Sequence, residues 1–254
     1  MLPILQLGPL AIQLPGLLLL VGVWVGVTLA ERQAPRHGVP PAQLNNLVFL
    51  GLVAGLIGAR LGYAVRYADV YLASPLSLLA LTPVTLAPID GAAIGLIVSL
   101  IYGQRKELPL WATLDSLTPG LASVMVALGF AHLASGDAFG APASLPWAIN
   151  LWGAERHPSQ IYEILGAVVI MGMLLRLGRK AQFPGMAFLV FIALTAGARL
   201  FLEAFRGDSV IVLNGLRQAQ LGALIVLLLA LVALHLRAIA EIPPLPQGEH
   251  VEKT

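Results

Sequence analysis

The sequence predicts an all-α, polytopic integral membrane protein with about seven transmembrane helices, its N-terminus outside and its C-terminus cytoplasmic. Three observations carry this. First, 58% of residues are hydrophobic and only 11% are charged, with a mean hydropathy of +0.85, whereas soluble domains carry about 25% charged residues. Second, seven apolar runs approach the roughly 20 residues that a span requires. Third, the basic residues alternate between loops, as the positive-inside rule describes. Residues 1–241 read as one transmembrane domain with short outer loops, and 242–254, rich in Pro and charge, as a disordered cytoplasmic tail.

Residues 1–14 read as a short interfacial segment, and 15–30 as the first span. No Lys or Arg precedes that run, so a retained span is expected rather than a cleaved signal. Arg32 and Arg36 follow it on the cytoplasmic side. The second span, 46–67, carries Gly51, Gly55, Gly58 and Gly62 at helical spacing, a face that lets another helix approach closely. An outer loop, 68–82, leads to the third span, 83–102, which Arg105 and Lys106 close inside. The fourth, 110–133, has Asp115 at its cytoplasmic start. Loop 134–157 holds Phe139, Trp147 and Trp152, suited to an interfacial aromatic belt. The fifth span, 158–177, opens on Pro158, which fits a first helical turn because its missing N–H costs nothing there. Arg176, Arg179 and Lys180 follow it inside. The sixth, 185–205, and the seventh, 218–236, are joined by outer loop 206–217, and Arg237 and Lys253 lie beyond.

Several function classes are excluded or disfavoured. The chain has no cysteine, so disulfides, thiolate nucleophiles and Cys-based metal sites are absent. His132 and Asp137 have no third ligand near them in sequence, and no metal or cofactor is expected. Basic residues occur singly, with no stripe to follow a nucleic-acid backbone. No inverted repeat points to a transporter.

The ionisable residues inside spans or at their outer ends remain. Arg60, Arg66, Arg156, Arg199, Arg206 and Arg217 fall outside the cytoplasmic loops. Intramembrane charges are costly and mark functional sites or mutual pairs. A shared anionic partner such as a phospholipid headgroup is one reading, because guanidinium binds phosphate in two-point fashion. Arg60, mid-span, is expected to pair with a carboxylate or face a wet cavity. Arg199 and Glu203 are four apart and Glu203 and Arg206 three apart, on one helix face. They form either an internal ion-pair ladder or a ladder with one arginine spare for phosphate. The octapeptide Arg156-His157-Pro158-Ser159-Gln160-Ile161-Tyr162-Glu163 concentrates a cation, an imidazole, an amide, a phenol and a carboxylate at a helix start. Asp90, early in the third span, reads as a helix cap or as a buried acid.

Taken in order, Gly58-Ala59-Arg60-Leu61-Gly62-Tyr63, the octapeptide, and Arg199 with Glu203, Phe205, Arg206 and Asp208 resemble the prolipoprotein diacylglyceryl transferase family, as do Leu7-Gly8-Pro9-Leu10 and Gln220. The likeness covers essentially the whole chain. It implies a bacterial cytoplasmic-membrane enzyme that moves the diacylglyceryl group of phosphatidylglycerol, or another anionic phospholipid, to the lipobox cysteine thiol of a prolipoprotein. It implies catalytic roles for His157, Arg199, Asp90 and Glu203, with Arg199 on the phosphate and His157 moving the proton. It implies substrate contacts for Arg60, Tyr63, Ser159, Gln160, Tyr162, Glu163, Arg206, His132 and Asp137. The chain also departs from the family pattern. Asp90-Gly91-Ala92 stands where the family has His-Gly-Gly, Gly129 where it has an Arg, His132 where it has an Asn, Asp137 where it has a Glu, and Pro15-Gly16 where it has Tyr-Gly. The departures leave two readings, a diverged transferase and a paralogue that binds phospholipid or lipoprotein without transfer.

Overall fold

The computed structural model describes residues 3–7, 10–79, 85–177, 181–212 and 215–240. The tail 242–254, and Gly8-Pro9 of the N-terminal motif, lie outside the described residues. In chain order the elements are β1 (Ile4–Leu7), β2 (Leu10–Gln13), α1 (Leu14–Gln33), α2 (Pro41–Arg66), α3 (Ala68–Ala73), α4 (Pro88–Arg105) and α5 (Leu110–Ser135). Then come β3 (Ile149–Leu151), β4 (Ala154–Arg156), α6 (Ser159–Leu177), α7 (Met186–Leu202), β5 (Ile211–Val212), β6 (Leu216–Arg217) and α8 (Gln218–Ala240). The chain divides into two compact units, Val27–Leu117 and the remainder.

Within Val27–Leu117, α2 and α4 form an antiparallel pair. Pro41 starts α2 and Pro88 starts α4, each where the missing N–H has no intrahelical partner to lose. The glycine face of α2 meets small residues of α4. A Cβ at Gly55 would lie 3.2 Å from the Gly91 carbonyl, and one at Gly95 would lie 2.7 Å from that of Gly51. Gly62 lies against Asp90 at one end, and Leu47 against Gly103 at the other. The close approach expected from the glycine spacing is therefore the packing that holds this pair. The Ala87 N–H donates to the Ala59 carbonyl at 2.9 Å and fastens the entry to α4. A small core of Ala30, Ala34, Val39, Leu44 and Ala112 packs elsewhere in this unit.

In the other unit, α5 to α8 carry the core. Ala122, Ile170, Leu174 and Phe191 join α5, α6 and α7. Gly22 and Gly26 of α1 abut Ala127 and Gly120 of α5, and Ser123 donates to the Gly22 carbonyl at 3.3 Å.

Among the described residues, six helical segments are long and apolar enough to cross a membrane: Leu14–His37, Pro41–Arg66, Leu110–Ser135, Ser159–Leu177, Met186–Phe205 and Gln218–Ala240. Large apolar side chains on them, including Leu20, Phe49, Val169 and Leu229, are exposed. Such surfaces suit lipid rather than water, and the protein is a polytopic membrane protein. The predicted third span, 83–102, differs. Its helix is α4, with 18 residues, and it is not among the six. Asp90, Gln104 and Arg105 lie inside that helix, so its apolar stretch is shorter than the sequence run proposed. The predicted helical class also gains three antiparallel hairpins: β1 with β2, β3 with β4, and β5 with β6. The first occupies the segment expected to lie at the interface. The other two shape the loops 134–157 and 206–217.

Candidate active site

Four helix ends of the larger unit meet at one end of it: the C-termini of α5 and α7 and the N-termini of α6 and α8. Residues 136–158 are folded tightly there. The Gly136 N–H closes α5 by donating to the His132 carbonyl at 2.8 Å. Trp152 and Gly153, with φ of 55° and 74°, turn β3 into β4, the two-residue turn with positive φ at both centres that matches strand twist.

The octapeptide fixes this loop. Ser159 Oγ donates to the Ala138 carbonyl at 2.6 Å, and Gln160 Nε2 to the Asp137 carbonyl at 3.0 Å. The His157 N–H donates to the Ala141 carbonyl at 3.0 Å. Arg156 donates to the carbonyls of Leu151 (3.0 Å) and Gly140 (3.2 Å) and lies over the Phe139 ring. Gly140 is required at this crossing, since a Cβ there would lie 2.1 Å from the His157 carbonyl oxygen. The exposures of Ser159 and Gln160 are 2% and 0%. Both are expected from the sequence to touch substrate; in the structure each donates to a loop carbonyl, and Gln160 Oε1 has no partner among the described residues. Asp137 lends its carbonyl to Gln160 and leaves its side chain exposed.

The charged side chains form a continuous network. Glu163 on α6 is its hub. Its Oε2 lies 2.9 Å from His132 Nδ1, and its Oε1 lies 2.7 Å from Arg206 Nη1 and 3.6 Å from Arg199 Nη1. Glu203, only 2% exposed, pairs with Arg199 at 2.9 Å, accepts from Ser209 Oγ at 2.6 Å and has Arg206 at 3.8 Å. The i,i+4 face-sharing of Arg199 and Glu203 is thus present. Arg206 also grips Asp208 through two hydrogen bonds, at 2.9 and 2.7 Å. Burial disfavours the Arg206 charge, but Asp208 foremost, then Glu163 and Glu203, outweigh that and raise its pKa above the ordinary arginine value. Arg217 closes the network by donating to the Arg206 carbonyl at 2.6 Å, to Ser209 Oγ at 3.0 Å and to the Glu203 carbonyl. In the sequence Arg217 is one of six cations outside the cytoplasmic loops, and nothing local marks Ser209.

Two cavities flank this network and share Arg199. One, of about 190 Å³, has mostly apolar walls, including Met125, Leu128, Ala167 and Leu202, with His132, Glu163 and Arg199 among its lining. The other, about 420 Å³ and more open, is bounded by the charged and polar side chains of Arg199, Glu203, Arg206, Asp208, Ser209 and Gln218, with Val210 and Ala219. The Arg199 side chain is 41% exposed, against 11% for Arg206. Nearby, His157 stacks edge-on with Phe205 at 5.2 Å and Tyr162 at 6.2 Å, and its Nδ1 is buried without a partner. The Tyr162 hydroxyl accepts from Trp147 Nε1 at 2.9 Å. Gly129, where the family pattern has an arginine, faces Ile164 of α6. A Cβ there would lie 2.8 Å from Ile164 Cγ1 and 3.3 Å from its backbone nitrogen, so α5 and α6 close on each other where a long side chain would otherwise stand.

The remaining predicted residues lie in the unit Val27–Leu117. Arg60, 6% exposed, takes neither a carboxylate nor a wet cavity as its partner. It donates to the carbonyls of Leu78 (3.0 Å), Thr85 (3.0 Å) and Ser77, and lies over the Tyr71 ring. The reason is local: residues after α3 leave main-chain carbonyls that need donors, and a buried guanidinium supplies several at once. Tyr63 packs against Tyr67 and Tyr71. Asp90 does not cap α4 by a side-chain hydrogen bond and is not an isolated acid. It pairs with Arg66 at 2.9 Å.

A profile of the family described as prolipoprotein diacylglyceryl transferase matches residues 3–236. Relatives named phosphatidylglycerol–prolipoprotein diacylglyceryl transferase include one from Trichormus variabilis, 28% identical over 246 residues, with 90% of this chain and 86% of the relative covered. Another, from Clostridioides difficile, is 27% identical over 210 residues, covering 83% and 84%. A third, from Bordetella parapertussis, is 30% identical over 211 residues, covering 79% and 80%. A match over residues 3–236, on a chain whose charged network joins the polar strings of α6 and α7 into one site, means that the chain belongs to the prolipoprotein diacylglyceryl transferase family.

Proposed function

We propose that this protein is an active transferase that moves the diacylglyceryl group of phosphatidylglycerol to the lipobox cysteine thiol of a prolipoprotein, at the outer face of a bacterial cytoplasmic membrane. The observation that carries this reading is the position of Arg199 at the junction of an apolar cavity and one bounded by charged and polar side chains. A phospholipid has the same division, with the glycerol and acyl part on one side and the phosphate on the other. The thiolate attacks the glycerol carbon that bears the phosphate ester. The C–S bond forms, the C–O bond breaks, and glycerol phosphate leaves with the bonding pair. Charge grows on the departing phosphate, and a guanidinium fixed beside it stabilises the transition state more than the ground state. Arg199 fills that role, Glu203 aims it, and Arg206, saturated by Asp208 and Glu163, holds Glu163 in place. Ser159, Gln160 and Arg156 position the loop over the site. Arg60 holds the segment after α3, and Tyr63 packs on Tyr67 and on Tyr71 of α3. The relatives' names support both the donor and the acceptor.

The test is mass spectrometry of a lipobox peptide incubated with the purified protein in phosphatidylglycerol vesicles. A gain of one diacylglyceryl group is expected, with none on the Cys→Ser peptide. A peptide of unchanged mass, with phospholipid still bound to the protein, would instead support the paralogue that binds without transfer.

We further propose seven crossings, N-terminus outside. Support comes from α4, which runs back along α2 from Gly62 to Leu47 and spans about 27 Å at 1.5 Å per residue, close to the hydrocarbon thickness. Because the chain lacks cysteine, introduced thiols report sidedness without background. Ser144→Cys is expected to react with an impermeant maleimide in intact cells and Gln104→Cys only after permeabilisation. External labelling of Gln104→Cys would remove α4 from the set of spans.

A further inference from the structure

We propose that His132, oriented by Glu163, is the base that takes the proton of the acceptor thiol; this rests on the transferase reading above. His132 lies on the last turn of α5, and its Nδ1 is 2.9 Å from Glu163 Oε2. The Glu163 carboxylate is held at its other oxygen by Arg206 at 2.7 Å, and Arg206 is fixed in turn by two bonds to Asp208. A carboxylate gripped by guanidinium accepts hydrogen bonds and does not donate them. Nδ1 of His132 therefore carries the hydrogen, which leaves the Nε2 lone pair as the acceptor. Among the described residues Nε2 has no hydrogen-bond partner, and His132 lines the apolar cavity that Arg199 also borders. A base within reach of a reaction space, turned by a carboxylate that is itself held, is the arrangement that nucleophile activation requires.

The other acid–base candidates lack one of these parts. His157 has an aromatic surround, a buried Nδ1 without a partner and no carboxylate beside it. Asp90 is paired with Arg66. Arg199 and Arg206 face Glu163, Glu203 and Asp208, two cations against three carboxylates, while Arg217 donates to the carbonyls of Glu203 and Arg206 and to Ser209 Oγ. An imidazolium formed at His132 then supplies the positive charge that the anionic phosphate needs as it departs. The proton passes from sulfur to Nε2, and from Nε2 to the released phosphate or to water, which restores the neutral ring.

The test uses the full chain in phosphatidylglycerol vesicles, with kcat and KM for a lipobox peptide measured at pH 7 and pH 9.5. His132→Ala is expected to lower kcat about 10²–10⁴-fold at pH 7, with KM nearly unchanged. At pH 9.5, above the ordinary thiol pKa of about 8.5, the peptide ionises unaided and the deficit should shrink about tenfold or more. The charged groups facing His132 are Glu163 of α6 and, beyond it, Arg199 and Arg206, and ordinary carboxylates and guanidiniums do not titrate in this window. His132→Asn, which keeps a donor for Glu163, should show the same pH-dependent deficit in a protein of wild-type unfolding temperature. His157→Ala should show no narrowing with pH. An equal deficit of the His132 variants at both pH values, wild-type kcat in His132→Asn, or narrowing in His157→Ala instead would overturn the assignment while leaving the transferase reading intact. A wild-type protein that transfers nothing would remove both.

Discussion

Arg199→Ala is expected to lower transfer about 10³-fold or more, the scale seen when an enzyme loses a cation or donor that stabilises charge appearing only in the transition state. Arg199 is more exposed than Arg206 and borders both cavities. Arg206 cannot readily replace it, because Glu163 and Asp208 already take its guanidinium. Arg199→Lys keeps the charge but loses the planar two-point grip, and an intermediate rate is expected. Insertion and chain length should be unchanged, so membrane yield is the control. Glu203 retains Ser209 and Arg206 when Arg199 is removed, which limits structural damage. Full activity in Arg199→Ala would contradict the phosphate role.

The second large effect is on stability. Glu203→Ala removes a carboxylate that is 2% exposed and touches Arg199, Arg206 and Ser209. Breaking one side of a buried ion pair costs about 3–5 kcal/mol, because the partner charges remain with fewer acceptors. Thermal unfolding in detergent is the measurement, and a clear fall in midpoint is expected. Glu203→Gln, which keeps an acceptor oxygen for Ser209, should lose less. An unchanged midpoint in Glu203→Ala would mean that the network does not hold the end of α7.

Much of this was readable from the residues, and what was not has physical reasons. Apolar runs mark spans because the bilayer sets their length, and the spacing of Gly51, Gly55, Gly58 and Gly62 marks a face for close helix approach, though not that α4 fills it. The pairing of Arg199 with Glu203 is local, four residues apart, and periodicity alone exposes it. The contact of His132 with Glu163 joins residues 31 apart on two helices, and no local pattern encodes such a meeting. The sequence alone points Arg60 toward a carboxylate or a wet cavity, because intramembrane cations commonly pair or face water. Its partners are main-chain carbonyls 17 to 25 residues away, and every residue type carries a carbonyl, so composition could not mark them. The hairpins escaped notice because strands of two to four residues carry almost no periodic signal. Ser159 and Gln160 look like substrate ligands in a polar string, and only the fold of residues 136–142 reveals carbonyls waiting for their donors.

The most direct test of the account follows both products at once. Phosphatidylglycerol labelled in its terminal glycerol is presented in vesicles to the purified protein with a lipobox peptide, and released glycerol phosphate is counted against lipidated peptide. The account requires one glycerol phosphate for each diacylglyceryl group gained by the cysteine sulfur, with both lost together in Arg199→Ala. Release of glycerol phosphate without peptide lipidation, or bound phospholipid with neither product, would contradict it.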